Sequence, residues 1–309
     1  MIFENQLRVF AAMLSSWYPN NQISNSKDLE IRNFILKKIK DTKLNNINLK
    51  KTHREFNIKI LKLLKSKNIK NFLRINFIQK MFFLQNRYFI FKELLEIKKS
   101  KKWKYYKSLL KEDHIGNPIR YFLYLKSSGN RINHVYHLSV LEKELNINLK
   151  KNIHSVFEFG AGYGCMARIF SKISRKIKYT IFDTSYINLL QYYYLKHNKL
   201  HVGFNKNNKF FLTSKDNYKK NIYDLFIANW SLSEAPLNFR KNFVKIISKS
   251  KYVLISFQEK FEDIDNYIFF NKLRTKLSKK FQIKIIKNKF YKGNILFKQN
   301  HYYFLAKKL

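Results

Sequence analysis

The chain has 309 residues, of which 45% are hydrophobic and 17% aromatic, so it can bury a real core and is not a disordered protein. Its net charge of +42 is spread evenly, because residues 1–150 carry 31 Lys/Arg against 11 Asp/Glu and residues 151–309 carry 31 against 9. An even excess is weaker evidence for a nucleic-acid partner than a basic stripe would be. The single cysteine, Cys165, excludes a disulfide framework and a CxxC metal site.

Residues 1–112 predict one helix after another. Apolar residues recur at helical spacing at Phe3, Leu7, Phe10 and Leu14, at Ile31, Phe34, Ile35 and Ile39, and at Ile58, Leu61 and Leu64. An Asn- and Lys-rich linker at 45–51 separates two of these helices. No apolar run approaches the ~18–20 residues that cross a bilayer. We therefore expect a soluble, cytoplasmic protein, and Glu4 and Arg8 interrupt any secretory leader.

A loop at 112–118, with Gly116 and Pro118, follows the predicted helices. One more helix is predicted from Asn133 to Leu145, and an Asn-rich hinge follows at 146–152. We therefore divide the chain into a helical N-terminal cap or substrate region, 1–150, and a second domain, 151–309.

From Ser155 onward, short apolar runs alternate with helical segments. The predicted strands are Ser155–Phe159, Tyr179–Phe182, Lys209–Leu212, Asp224–Ala228, Tyr252–Phe257, Phe281–Lys287 and His301–Ala306. This βαβ rhythm predicts an α/β fold with a doubly wound, Rossmann-like, seven-stranded parallel sheet. A turn at Gly293 and Asn294 shortly before the last strand predicts that this strand runs antiparallel.

A glycine-rich segment follows the first of these strands, in the run Glu-Phe-Gly-Ala-Gly-Tyr-Gly from Glu158 to Gly164. Glycines at such a turn allow positive φ angles and let a ligand approach the backbone. The next strand ends on Asp183, which lies 23 residues after Gly160. A doubly wound fold places a carboxylate there to accept the ribose hydroxyl hydrogens of a nucleoside cofactor.

The spacing of the glycines distinguishes two cofactors. A dinucleotide fingerprint reads GxGxxG/A, whereas here the third glycine comes one residue earlier and Cys165 occupies the sixth position. The GxGxG form resembles motif I of class I methyltransferases, which implies S-adenosylmethionine as cofactor. The expected cofactor-binding residues are Glu158, Gly160, Ala161, Gly162, Gly164 and Asp183, together with Asn229 at the end of the fourth strand.

The segment that follows Asn229 is Trp-Ser-Leu-Ser-Glu-Ala-Pro, and residues beyond the central strands line the ligand crevice of such a fold. It lacks the Asn/Asp-Pro-Pro-aromatic motif by which enzymes that methylate nucleobase amino groups resemble one another. Methylation at base C5 needs a nucleophilic cysteine, and Cys165 instead occupies the first turn of a helix, where a small packing residue is expected.

Several stretches resemble a family of sugar O-methyltransferases. They are EFGAGYG, Tyr-Thr-Ile-Phe-Asp up to Asp183, LLQYYYL at 189–195, NWSLSE at 229–234 and Gly116-Asn117-Pro118, so the likeness runs from about residue 112 to 236. The resemblance implies a class I methyltransferase that acts on a sugar or glycan acceptor, nucleotide-linked or lipid-linked, in polysaccharide biosynthesis. Phosphate-bearing carriers suit a positively charged protein.

An alcohol is a poor nucleophile unless a base takes its proton. Glu234 is our first candidate for this base because it lies just past the fourth strand, and His137 is the second. His134 is a further candidate, and His114, which lies in a loop, is a weaker one. Each has a structural alternative: Glu234 can serve a helix N-terminus, and the histidines can be packed or solvated. No two acids lie at ligand spacing near the site, so no metal is predicted.

Two other functions stay open at this point. The basic N-terminal helices are compatible with an RNA methyltransferase. Our first expectation, however, is that the protein does not bind nucleic acid. A degenerate fold that only binds a partner is disfavoured by the intact glycine run and both acids.

Overall fold

A computed structural model of the chain describes residues 25–41, 51–82, 88–215, 221–290 and 299–309, together with residues 6, 10, 13 and 14. Of the first predicted helix, Phe10 and Leu14 are helical, whereas Phe3 and Leu7 lie outside the described residues. Linker residues 45–50 and the predicted turn at Gly293 and Asn294 also lie outside them. No helix within the described ranges is long and apolar enough to span a membrane.

The N-terminal half is helical, as its amphipathic periodicity predicts. Its elements are α1 (Asn25–Asp41), α2 (Lys51–Lys65), a 3-10 helix (Lys67–Arg74), α3 (Asn76–Phe82), α4 (Tyr88–Lys99), α5 (Trp103–Leu110), the strands β1 (Arg120–Tyr121) and β2 (Tyr124–Ser128), α6 (Gly129–Leu145) and α7 (Leu149–Asn152). Helix α6 begins where the Ser128 hydroxyl accepts a hydrogen bond from the Arg131 amide, and it ends at Asn146 in the left-handed conformation. The predicted boundary between residues 150 and 151 falls inside α7, and as a division into two domains it stays a prediction.

The C-terminal half contains the central sheet. Its strands are β3 (Ser155–Phe159), β4 (Lys178–Phe182), β5 (Val202–Gly203), β6 (Phe210–Thr213), β7 (Leu225–Asn229), β8 (Tyr252–Gln258), β9 (Lys260–Phe261), β10 (Ile264–Asp265), β11 (Phe281–Lys287) and β12 (His301–Lys308). Within the described chain, eight of them form one sheet in the order β11-β12-β8-β7-β3-β4-β6-β5. Only β12 is antiparallel to its neighbours, β8 and β11. The predicted fold class is therefore confirmed, including the antiparallel last strand, but the described sheet has eight strands and not seven, because the two-residue β5 extends its edge.

Helices cover both faces of this sheet. They are α8 (Cys165–Ile173), α9 (Ser185–His197), α10 (Ser231–Glu234), α11 (Leu237–Lys249) and α12 (Asn266–Leu277). Side chains alternate across β3, so Val156 packs with α8, α9 and the N-terminal helices, while Phe157 packs with α11 and α12. Because both faces of the sheet are covered, the sequences of the parallel strands are nearly continuous runs of apolar residues. The N-terminal helices thus share a hydrophobic core with one face of the sheet.

Candidate functional site

The glycine run forms a tight connection between β3 and α8. Gly160, Gly162 and Gly164 have φ angles of 67°, 56° and 96°, a region that side chains disfavour. A Cβ on Gly160 would lie 2.4 Å from Cβ of Ser231, and one on Gly162 would lie 2.7 Å from the ring of Phe82. The run is therefore glycine-rich both for its backbone conformation and because two neighbours approach closely.

A cavity of about 560 Å³ opens at the carboxyl ends of the central strands, next to this connection. That size is typical of a small-molecule site. The predicted site residues that line it are Glu158, Gly160, Ala161, Gly162, Asp183, Asn229 and Glu234. Gly164 and His137 do not belong to the lining. Among the described residues, no three His, Cys, Asp or Glu side chains are arranged to hold a metal ion.

Asp183 follows β4 and faces this cavity. Its Oδ1 accepts a hydrogen bond from the Thr184 amide at 2.8 Å, and its Oδ2 accepts one from Gln191 Nε2 at 3.0 Å. Burial raises the pKa of Asp183 to about 7, although these hydrogen bonds act in the opposite direction. The carboxylate is thus oriented and partly desolvated, which suits it to accept hydrogen bonds from a bound ligand.

Gln191 joins the two halves of the predicted cofactor site. Besides Asp183, its Nε2 donates to the carbonyl oxygen of Gly162 at 2.8 Å. We did not single out this residue from the sequence. A lone amide in the otherwise apolar and aromatic stretch LLQYYYL was the available indication, because a buried polar group needs a partner. The neighbouring Tyr192, Tyr193 and Tyr194 are buried in the core.

Glu158 is the next-to-last residue of β3, the strand that leads into the glycine run. Its Oε2 accepts a hydrogen bond from the Tyr179 hydroxyl at 2.7 Å. Burial raises the pKa of Glu158 to about 8, and the neighbouring Asp183 acts in the same direction. The site therefore favours the uncharged form of this carboxyl group more than water does.

The N-terminal helices supply a wall of the same cavity, and the sequence did not indicate which of their residues do so. Phe82 of α3 covers Gly162 and packs edge-on against Tyr163, with ring centroids 5.8 Å apart. Asn57 of α2 accepts a hydrogen bond from the Thr184 hydroxyl at 2.8 Å. These contacts join residues more than 70 positions apart, and no local pattern reveals them.

Asn229 ends β7 and opens the segment that leads to Glu234. Its Oδ1 accepts a hydrogen bond from the Ser256 hydroxyl at 3.3 Å. Its Nδ2 is buried without a protein partner within the described chain. Because an unpaired buried donor is costly, this amide is suited to a ligand in the cavity.

Glu234 lies at the end of α10, where Gln258 holds it. The Ser233 hydroxyl donates to Gln258 Oε1 at 2.9 Å, which leaves the Gln258 amide N–H to bond the Glu234 carboxylate. Burial raises the pKa of Glu234 to about 7. A base with a pKa near the working pH is well matched to proton transfer.

Arg240 fixes the backbone on both sides of Glu234. Its guanidinium is fully buried and donates to the carbonyl oxygens of Ser233 and Ala235 at 2.5 and 2.7 Å. A third bond goes to Asn266 at 2.7 Å. We did not predict this residue, because an arginine on a predicted amphipathic helix is normally exposed.

The histidines are placed differently from our expectation. His137 is buried with its Nδ1 2.7 Å from the Tyr303 hydroxyl, whereas His134, one turn earlier on α6, lines the cavity. His114 lies in the 112–118 loop, at a separate cavity. The role of His137 as the base stays a prediction. To act as the base, His137 would have to reach the cavity, which His134 already lines.

No protein-family model matches the sequence, and no curated protein matches it. Similar solved structures include the methyltransferase domain of bacterial CtHen1, at 12% identity and a TM-score of 0.40, covering 55% of this chain and 95% of that one. A SAM-dependent methyltransferase from Aquifex aeolicus is 16% identical with a TM-score of 0.37, covering 54% and 88%. Precorrin-6y C5,15-methyltransferase from Geobacter metallireducens is 10% identical with a TM-score of 0.36, covering 57% and 87%.

Proposed function

We propose that this chain is an S-adenosylmethionine-dependent methyltransferase. The observation that carries the proposal is the cavity wall in which Gln191 joins the glycine run at Gly162 to the carboxylate of Asp183. A glycine turn and a terminal acid on adjacent parallel strands are what a nucleoside cofactor needs. The GxGxG spacing favours a cofactor without a pyrophosphate over a dinucleotide.

The residues present fit this cofactor. Asp183 would hold the ribose hydroxyls, the turn at Gly160 and Gly162 would accommodate the methionine part, and the unpaired Asn229 amide would donate to it. When bound, S-adenosylmethionine would supply the methyl group of its sulfonium, and the carbon–sulfur bond that breaks on transfer would leave a neutral thioether. The protein's part is to orient the acceptor and to take its proton.

We propose a hydroxyl of a sugar or glycan as the acceptor, in line with the sequence resemblance. The acceptor oxygen gains the methyl group as its O–H bond breaks, and the proton passes to a carboxylate oxygen of Glu234. Burial prepares Glu234 for this step, since its raised pKa makes it a stronger base than an exposed carboxylate. Glycans from cells with and without the gene, compared by mass spectrometry, should differ by one methyl group per modified residue.

RNA methylation is the second candidate, and the net charge of +42 favours it. Against it, Lys80 is the one Lys or Arg that lines the cavity within the described ranges. We expect weak RNA binding that is lost with rising salt. A nanomolar, structure-selective RNA complex at physiological salt would favour this candidate over a sugar acceptor.

Ligand-dependent thermal stability tests the cofactor. S-adenosylhomocysteine at 100 times its Kd should stabilise the protein by about 2.7 kcal/mol through mass action. For a chain of this length we expect Tm to rise by about 4 °C. NAD and NADP at the same concentration serve as controls and should leave Tm unchanged. Stabilisation by NAD or NADP alone would contradict the methyltransferase proposal.

Cofactor affinity should also rise with pH. Ribose hydroxyls donate hydrogen bonds to the ionised form of Asp183, whose pKa in the free protein is about 7. Protonation must therefore compete with binding, and affinity should fall up to about tenfold per pH unit below pH 7. Calorimetry with S-adenosylhomocysteine at pH 6, 7 and 8 measures this. The Asp183→Asn variant, which lacks the titrating group, should bind with an affinity below that of the unmodified protein and show a flatter profile.

A further inference from the structure

The cavity has two sides, which the strand order separates. Asp183 follows β4 and Trp230 follows β7, with β3 between these strands. Strands lie about 4.8 Å apart, so the two strand ends are about 10 Å from each other. We call the part lined by Trp230, Glu234, Gln258, His301 and His134 the acceptor side.

Trp230 is held in place on the acceptor side. Its backbone has φ 62° and ψ −36°, a conformation that a bulky residue rarely adopts. Its indole meets His137 and His301 edge to face, with ring centroids 6.1 and 6.0 Å away. Strain of this kind persists only where the surroundings enforce it, and it concentrates at functional sites. The fixed indole therefore offers an aromatic surface to the cavity.

The imidazoles of the acceptor side are uncharged at neutral pH. Burial lowers the pKa of His134 to about 4, and the nearby Arg131 adds to this effect. Burial also lowers the pKa of His301 to about 4. The His134 Nδ1 is buried without a protein partner in the described part of the chain, so it can accept a hydrogen bond from a ligand.

No cation offsets Glu234 on the acceptor side as far as the structure describes its lining. Lys80 belongs to α3, whose Phe82 covers Gly162 near the cofactor residues. Arg240, although close to Glu234 in the chain, is fully buried, and its guanidinium donates to two carbonyl oxygens and one amide oxygen. An anionic group placed here would lose its hydration and face a carboxylate. Among the residues that the structure describes, the chain's large positive charge does not extend into this part of the cavity.

We propose that the acceptor side binds an uncharged, hydroxyl-bearing ring. Its C–H face stacks on Trp230, and one of its hydroxyls donates a hydrogen bond to His134. The inference rests on the proposed function, and it narrows the acceptor to a neutral sugar ring. Any phosphate of a carrier stays outside the cavity, where lysines are abundant.

Matched pairs of small sugars, one neutral and one charged, test on the unmodified protein whether the acceptor side prefers an uncharged ring. We would measure the Kd of each sugar by saturation-transfer NMR. The neutral sugars are methyl glucoside, galactoside and mannoside, and each is compared with its uronate, in which a carboxylate replaces the exocyclic CH2OH. At least one neutral glycoside should bind at least tenfold more tightly than its uronate at pH 7.5. Equal or tighter binding of the uronates would overturn the inference, and so would the failure of every neutral glycoside to bind.

Two variants test the role of Trp230. Trp230→Ala should weaken the neutral glycoside at least tenfold, while Trp230→Phe, which keeps an aromatic face, should stay within about threefold. The Tm of each variant without ligand controls for folding, because Trp230 directly follows Asn229, which we place in the cofactor site, and cofactor affinity is therefore not an independent control. Unchanged glycoside binding by Trp230→Ala would contradict the stacking role.

Binding of S-adenosylhomocysteine and binding of the glycosides test the proposed function and the further inference separately. If S-adenosylhomocysteine fails to bind the unmodified protein, the proposed function is wrong. The glycoside pairs are therefore measured with and without it, and they decide the inference in either case. A His134→Phe variant that binds the neutral glycoside normally would exclude the hydrogen bond to His134.

Discussion

Replacing Glu234 with glutamine is expected to lower kcat by about 10²–10⁴ while cofactor affinity stays near that of the unmodified protein. Glutamine keeps the size of the side chain and can still bond Gln258, but it has no basic oxygen to take a proton. The effect should thus appear in the chemical step and not in binding. Turnover on the identified acceptor and calorimetry with S-adenosylhomocysteine measure the two quantities separately.

The pH profile gives a second readout for Glu234. Because its pKa is about 7, activity of the unmodified protein should rise with pH through this value as the carboxylate becomes ionised. The Glu234→Gln variant should lose this rise. Glu96→Gln, a change of the same kind outside the cavity lining, is the matched control and should leave kcat unchanged. Near-normal turnover of Glu234→Gln would show that its role is structural, and His134 would be tested next.

The fold could be predicted from the sequence because its strands are buried on both faces. Each of the seven predicted strands is present, with ends that differ by at most two residues. The two-residue strands β1, β5, β9 and β10 were not predicted, since elements this short have no readable alternation, and the five-residue strand β2 was also missed. The glycine turn could also be predicted, because glycine adopts positive φ angles readily and Gly160 and Gly162 do so here.

The acceptor side was harder to predict, and helix α6 shows why. A helix with one apolar stripe reveals which residues face the core. Helix α6 buries side chains around its whole circumference, including Arg131, Asn133 and His137. The rotation of this helix cannot then be inferred from periodicity, so the sequence could not show that His134, and not His137, lines the cavity. Likewise, the contribution of Phe82 and Asn57 depends on how distant helices pack, which spacing along the chain does not encode.

Replacing Asp183 with alanine should have the opposite signature from the change at Glu234. The variant loses the carboxylate expected to accept both ribose hydroxyls, and charge-assisted hydrogen bonds are worth roughly 1.5–3 kcal/mol each. Kd for S-adenosylhomocysteine should therefore rise about tenfold or more, since each ~1.4 kcal/mol is a factor of ten. Turnover at saturating cofactor should change much less than affinity, because Asp183 does not touch the transferred proton.

The loss of Asp183 need not disrupt the site around it. Gln191 keeps its hydrogen bond to Gly162, so the glycine turn remains tied to α9 in the variant. Removing a buried carboxyl with a raised pKa also relieves a desolvation cost in the free protein, so Tm without ligand should not fall much. Asp183→Asn, which retains one acceptor oxygen, should bind with intermediate affinity. Normal cofactor affinity of Asp183→Ala would mean that the nucleoside lies elsewhere in the cavity, and the division into a cofactor side and an acceptor side would then be wrong.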